Sequence, residues 1–147
     1  MTSPIVRAFA QWVEGQPTKP ALHFDSQTLT YGELASKVGR LSNGLYQTGM
    51  RPGDHVGVML PNGAEFVLFM LAAADLGLVI VPQNLTMSGS GLAGSFNAAH
   101  VTHVIGWHSV IDPFKGSNEG FRISPRTTWI TLGGAVDGCL RFEDLLT

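Results

Sequence analysis

The stretch Gly53–Asn84, GDHVGVMLPNGAEFVLFMLAAADLGLVIVPQN, decides the fold of this chain. His55 to Leu60 is a run of strand length, broken by Pro61-Asn62. Asn62, with Glu65 three residues on, predicts a helix that opens on a capping box. That helix runs to Leu76 and stops at Gly77, a residue able to take the left-handed conformation found just past many helix ends. Leu78 to Val81 is a second strand, closed by Pro82. Strand, helix and strand within about thirty residues make a βαβ crossover, right-handed by the usual rule, and place two parallel strands in one sheet. Between Glu65 and Asp75 the helix has no charged or strongly polar side chain. A helix apolar all round needs cover on every side.

Toward the N-terminus, Ser3-Pro4 is a helix start with proline at the first helical position. Val6, Phe9, Ala10 and Val13 then recur at helical spacing to about Glu14. Gly15 to Pro20 is a linker. Ala21–Phe24 and Gln27–Thr30 pair as a hairpin across Asp25-Ser26. Thr30 caps a second helix with Glu33 at the reciprocal position, and Leu34, Val38, Leu41 and Leu45 mark its buried stripe. Gly49 ends it.

Beyond Pro82 the pattern weakens. Gln83–Ser88 reads as a loop and Ser88–Ala99 as a poor helix, interrupted by Gly89, Gly91 and Gly94. Thr102–Gly106 is a third parallel strand. His108–Lys115 starts a helix cut by Pro113, Gly116–Arg126 is a polar loop, and Thr127–Leu132 is a β-branched strand. Gly133–Gly138 is a turn, and Phe142–Leu146 reads as the first turns of a helix, so the chain looks truncated there. Residues alone thus give an α/β fold, a largely parallel sheet with flanking helices built from βαβ units.

With 147 residues the chain is one domain or a piece of one. A charge of −2, with no Lys/Arg patch, points away from nucleic acid. The longest apolar run, Phe66–Ala74, falls far short of the roughly 18 residues of a membrane span. No signal-peptide pattern opens the chain, and a soluble cytoplasmic protein is expected. Cys139 is the single cysteine, which rules out an internal disulfide; a buried, inert thiol is expected.

Several constellations invite a functional reading. Gly89-Ser90-Gly91-Leu92-Ala93-Gly94 fits the G-x-G-x-x-G of a dinucleotide-binding turn, yet the glycines do not follow a strand directly and no acidic residue ends a following strand at the right distance. The same segment is no phosphate loop, since no Lys follows it. His100, His103, His108 and Asp112 could be drawn into a metal site, but their spacing shares no helical face, and surface or capping histidines are expected. Trp12, Trp107 and Trp129 sit on separate elements and read as packing. No serine nucleophile turn or carboxylate pair is present. No catalytic, cofactor-binding or metal-ligating residue is assigned.

Four motifs in order resemble one family. Leu29-Thr30-Tyr31-Gly32-Glu33-Leu34 is similar to the L-T-Y-x-E-L of AMP-forming acyl-CoA synthetases and related adenylating enzymes. Gly49-Met50-Arg51-Pro52-Gly53-Asp54-His55-Val56 resembles their G-x-x-x-G-D-x-V. Leu60-Pro61-Asn62 with Glu65-Phe66 resembles L-P-N-x-x-E-F, and Gly77, Pro82 and Asn84 resemble G-A-x-x-x-P-x-(N/D). The match is collinear over Ala21–Asn84 and weaker to Gly106. Asp75 departs from it, standing where relatives often carry Lys, Arg or Ala.

The resemblance implies an incomplete N-terminal subdomain of the acyl-CoA synthetase fold, with a leading helix and linker at 1–20, an α/β core at 21–106 and an extension at 107–147. It implies a parent ligase that joins a carboxylate, a fatty acid in the expected case, to coenzyme A through an acyl-adenylate, using ATP and Mg²⁺. The family's phosphate loop, later nucleotide motifs and catalytic Lys would lie past Thr147. This chain is therefore expected to hold no cofactor and to be inactive alone, with the rest of the enzyme as its partner. Self-association through the apolar helix is a further expectation. The other readings are a stand-alone Rossmann-like module built on Gly89, Gly91 and Gly94, and a protein-interaction module.

Overall fold

The computed structural model describes residues 3–117, 123, 124 and 126–147. Within these, the chain divides into two compact units. One comprises residues up to Pro52, Asn62–Leu78 and Leu145–Thr147; the other comprises Gly53–Pro61 and Val79–Asp144.

The first unit holds α1 (Pro4–Gly15), an antiparallel hairpin of β1 (Pro20–Phe24) and β2 (Gln27–Thr30), α2 (Tyr31–Gln47) and α3 (Ala64–Leu76). The hairpin turns at Asp25, which takes a left-handed φ of 51°. α2 starts on the expected box: the Glu33 amide donates to Thr30 Oγ1 at 3.2 Å and the Thr30 amide donates to Glu33 Oε2 at 2.9 Å. These Thr30 hydrogen bonds, the backbone one first, hold the Glu33 carboxyl below its ordinary range. Replacing Thr30 with Ala removes one side of the box and should cost about 1 kcal/mol; an unchanged denaturation midpoint would show that the box adds nothing. α2 buries Leu34, Val38, Leu41 and Leu45, the stripe read from spacing, with Ser42 donating to the Ala72 carbonyl of α3.

α3 begins one residue later than its sequence suggests. Gly63, in extended conformation, precedes the first helical residue and no side chain caps the end, so Asn62 lies outside the helix and forms no box with Glu65. The far end is as read: Gly77 is left-handed at φ 76°, and the Leu78 amide returns to the Ala73 carbonyl at 2.8 Å. α3 buries Leu68, Phe69, Ala72 and Ala73, while Met70 is exposed. α1 is amphipathic as expected but buries no residue fully.

The second unit is a five-stranded sheet in the order β4-β3-β5-β6-β7, every pair parallel. Its strands are β3 (His55–Met59), β4 (Val79–Pro82), β5 (His103–Trp107), β6 (Thr128–Leu132) and β7 (Leu140–Arg141). β3 and β4 are joined through α3 and pair in parallel, as the βαβ reading requires. Pro82 falls inside β4, one residue beyond the expected strand end. The amides of Val79 and Gln83 bond the Asp54 and Val58 carbonyls of the β3 side, so alternate residues face β3 and Pro82 turns its missing N–H to the open edge.

One face of the sheet carries Met59, Val104 and Trp129, packed with Leu92, Ala93 and Phe96 of α4 (Gly89–Ala98) and with Ile111 and Phe114 of α5 (His108–Lys115). The alternate residues Val56, Val58, Ile105 and Ile130 are also buried, so the strands read as continuous apolar runs, as parallel strands do. α5 passes through Pro113 instead of ending there. Pro113 is the sixth of the eight helical residues and removes one intrahelical hydrogen bond, while the buried Ile111 and Phe114 on either side of it hold the helix in place. Residues 118–122 and 125 of the expected polar loop lie outside the described residues. β7 lies between the expected turn and the expected helix and was not legible as a strand, and Phe142–Leu146 forms a 3-10 helix in place of an α-helical start.

Candidate functional site

In open parallel sheets ligands collect outside the carboxyl ends of the strands, where the strand order reverses. Here the chain moves from β3 outward to β4, then returns to the other side of β3 for β5, so the switch lies between β3 and β5. The two strands are drawn together by missing side chains. A Cβ on Gly106 would stand 2.8 Å from both Cβ and the carbonyl oxygen of Met59. A Cβ on Gly57 would stand 2.5 Å from the Phe96 ring. The glycines are therefore packing requirements of the sheet.

Next to the switch, at the carboxyl ends of β5 and β6, is a cluster that the sequence reading did not assemble. Trp107 ends β5 and His108 follows it, while Gly133-Gly134 follow β6, whose Leu132 is in register with Trp107. The Trp107 indole lies directly on Gly133, where an added Cβ would be 2.6 Å from the ring, and the His108 ring lies on Gly134 at 2.8 Å. Gly133, left-handed at φ 74°, donates its N–H to Glu143 Oε1 at 3.1 Å, and Glu143 Oε2 is 3.8 Å from Arg141 Nε. A usable signal was present in the sequence: two ring-bearing residues end one strand while two glycines end its neighbour. The cluster offers a partly exposed indole face and an imidazole. Its one guanidinium is engaged with Glu143.

The residues considered from sequence are not brought together. Gly89, Gly91 and Gly94 lie within α4 rather than in a strand-to-helix turn. Ser88 Oγ accepts from the Gly91 amide at 3.3 Å, and a Cβ at Gly91 would meet Met87 at 2.9 Å. One amide of the first turn of α4 is thus engaged by its own cap, and no Lys or Arg lies between Gln83 and His108 to hold a phosphate. These residues do not fit a nucleotide phosphate. Among the described residues no group of three or more His, Cys, Asp or Glu converges on a cation position, so His100, His103, His108 and Asp112 form no metal centre.

His103 is buried at the start of β5 with its Nδ1 2.8 Å from Thr102 Oγ1. Burial lowers its proton affinity below the ordinary value of 6.5, and Asp54 pulls the other way. The unfolded chain takes up this proton first, so the stability contribution is complete above the ordinary imidazole value and drains as pH falls through it toward the lower folded value. The melting temperature should therefore drop between pH 7.5 and pH 5, and His103→Gln should flatten that slope; an equal slope in the variant would remove His103 as the cause. Cys139 is half-buried against the core, and burial raises its thiol above the usual range, with Lys115 opposing and Asp112 adding. It stays a protonated thiol near neutrality, in keeping with the inert reading.

Among the described residues no helix is long and apolar enough to cross a membrane. Residues 9–133 match the family model described as AMP-binding enzyme. Feruloyl-CoA synthase of Amycolatopsis sp is 38% identical over 71 residues, 48% of this chain and 14% of that protein. 4-coumarate--CoA ligase 3 of Arabidopsis thaliana is 29% identical over 131 residues, 88% of this chain and 22% of that protein. Among solved structures, a protein assigned as a long-chain-fatty-acid CoA ligase of Rhodopseudomonas palustris superposes with a TM-score of 0.87 at 18% identity, over 97% of this chain and 36% of that one. That likeness carries the fold, and the chain spans only 14% to 22% of the length of these two curated relatives. Matched over most of its length by the family model, and folded like the N-terminal region of such ligases, the chain belongs to the AMP-binding enzyme family.

Proposed function

We propose that residues 1–147 are the N-terminal scaffold subdomain of an ATP-dependent, AMP-forming carboxylate–CoA ligase of the cytoplasm, with a fatty acid as the expected substrate class. One observation carries the reading. The residues that make the family match are themselves structural: Thr30 and Glu33 close a helix cap, Gly53 and Gly77 take left-handed turns, and Pro82 faces a sheet edge. None of them is a reacting group. The glycine segment and the histidines supply neither a phosphate cradle nor a cation site. On this reading adenylation depends on residues elsewhere in the ligase, and α3, apolar around its circumference, is a surface for that remainder or for a second copy.

A fusion tests the assignment. This chain replaces the matched N-terminal region of 4-coumarate--CoA ligase 3, and CoA thioester formation is followed with 4-coumarate and with aliphatic acids. The expected result is a soluble fusion that forms thioester at a measurable fraction of the parent rate. A folded fusion that makes neither adenylate nor thioester would count against a scaffold shared across the family.

A further inference from the structure

Within the first unit, α1, α2 and α3 leave an open groove of about 310 Å³. Phe9, Val38 and Leu71 supply apolar walls from the three helices, and the acidic residues Glu14 and Asp75, both exposed, are among its lining residues. Gly39 completes the lining from the middle of α2. A glycine at an interior helix position weakens the helix relative to alanine, so a packing reason is expected for it.

The other two glycines of α2 have one. A Cβ on Gly32 would meet the Pro17 carbonyl at 3.2 Å, and one on Gly44 would run into Leu145. A Cβ on Gly39 meets nothing within 4 Å. Among the described residues the space above Gly39 is thus open, and the residue that would fill it is the one left without a side chain.

From this we infer that the groove binds a small apolar cation, an alkylammonium group whose chain lies over Gly39 between Phe9, Val38 and Leu71 and whose nitrogen sits by Glu14 and Asp75. The site uses Leu71 and Asp75 of α3 and leaves Met70, exposed on the same helix, to the remainder of the ligase. Its size favours a small molecule over a protein partner: ten residues line it, against the roughly 20–30 a side that a stable protein–protein interface uses. Its charge selects the head group. Two carboxylates repel a fatty acid and attract an amine of the same length.

The test uses the 147-residue chain, ¹⁵N-labelled and titrated with octylammonium, octanoate or octanol at equal ionic strength. Saturable shifts on α1, α2 and α3 are expected with octylammonium at sub-millimolar to low-millimolar concentration, with at least tenfold weaker binding of octanol and none of octanoate. Gly39→Leu should remove binding while melting no lower than the parent, since the added side chain has room and leucine favours the helix. The Glu14→Gln/Asp75→Asn pair should weaken octylammonium at least tenfold and bring it level with octanol. Equal binding of the three ligands, undiminished binding to a folded Gly39→Leu variant, or no saturable octylammonium shifts would each overturn the proposal.

Discussion

Gly106→Val should cost about 3 kcal/mol or more, the upper range for forcing bulk into a packed interior. Gly106 sits inside β5 with Met59 of β3 on one side and Thr131 of β6 on the other, both in register. The first added carbon already lies 2.8 Å from the Met59 carbonyl oxygen and 3.0 Å from Ile111 Cγ1. The oxygen belongs to a neighbouring strand and cannot rotate away. Relief requires parting β3 from β5 at the switch point, or pushing α5 off the sheet. A fall of roughly 6–12 °C in melting temperature corresponds to this cost for a chain of this size, and expression as an unfolded product is the stronger form of the same outcome. A loss below about 1 kcal/mol would mean that the sheet does not bring Met59 and Gly106 together.

Phe96→Ala tests the other side of the packing. Phe96 is 1% exposed and its ring fills the space left by Gly57, with Phe114 edge-on at 6.2 Å. Truncating such a ring removes its transfer energy and leaves a cavity, about 3–5 kcal/mol in total. Gly57→Ala alone should also destabilise, because its methyl would fall 2.5 Å from the ring. In the Phe96→Ala background the same methyl enters a void, so the two costs should fail to add by 0.5 kcal/mol or more, about the lower limit for residues in contact. Strict additivity of the two measured unfolding energies would contradict the contact.

These two contacts also mark what could be read in advance. The βαβ order, the Thr30–Glu33 box and the Gly77 stop were legible because each depends on residues close in sequence. The reach of Phe96 to Gly57, and of Trp107 to Gly133, joins residues far apart, and periodicity says nothing about such pairs. Pro113 and Asn62 misled for related reasons. Local preference would end α5 at the proline and open α3 at the asparagine, but burial of Phe114 and the extended Gly63 set the limits instead. β7 has two residues and no pattern to read; it exists by pairing with β6. The cluster at the carboxyl ends of β5 and β6 was hidden because its ring pair and its glycine pair are parted by more than twenty positions. The family motifs, by contrast, were legible, because four short patterns in fixed order need no tertiary knowledge.

Under the proposed function these residues build a parallel sheet and leave phosphate chemistry to the rest of the ligase. Pyrophosphate release by the purified chain, given ATP, Mg²⁺ and a panel of aliphatic and aromatic carboxylates, tests it most directly. Release no faster than in the protein-free control is expected with every acid. Sustained, carboxylate-dependent release that tracks the folded chain through purification would contradict it, because this sheet would then hold an adenylating site of its own.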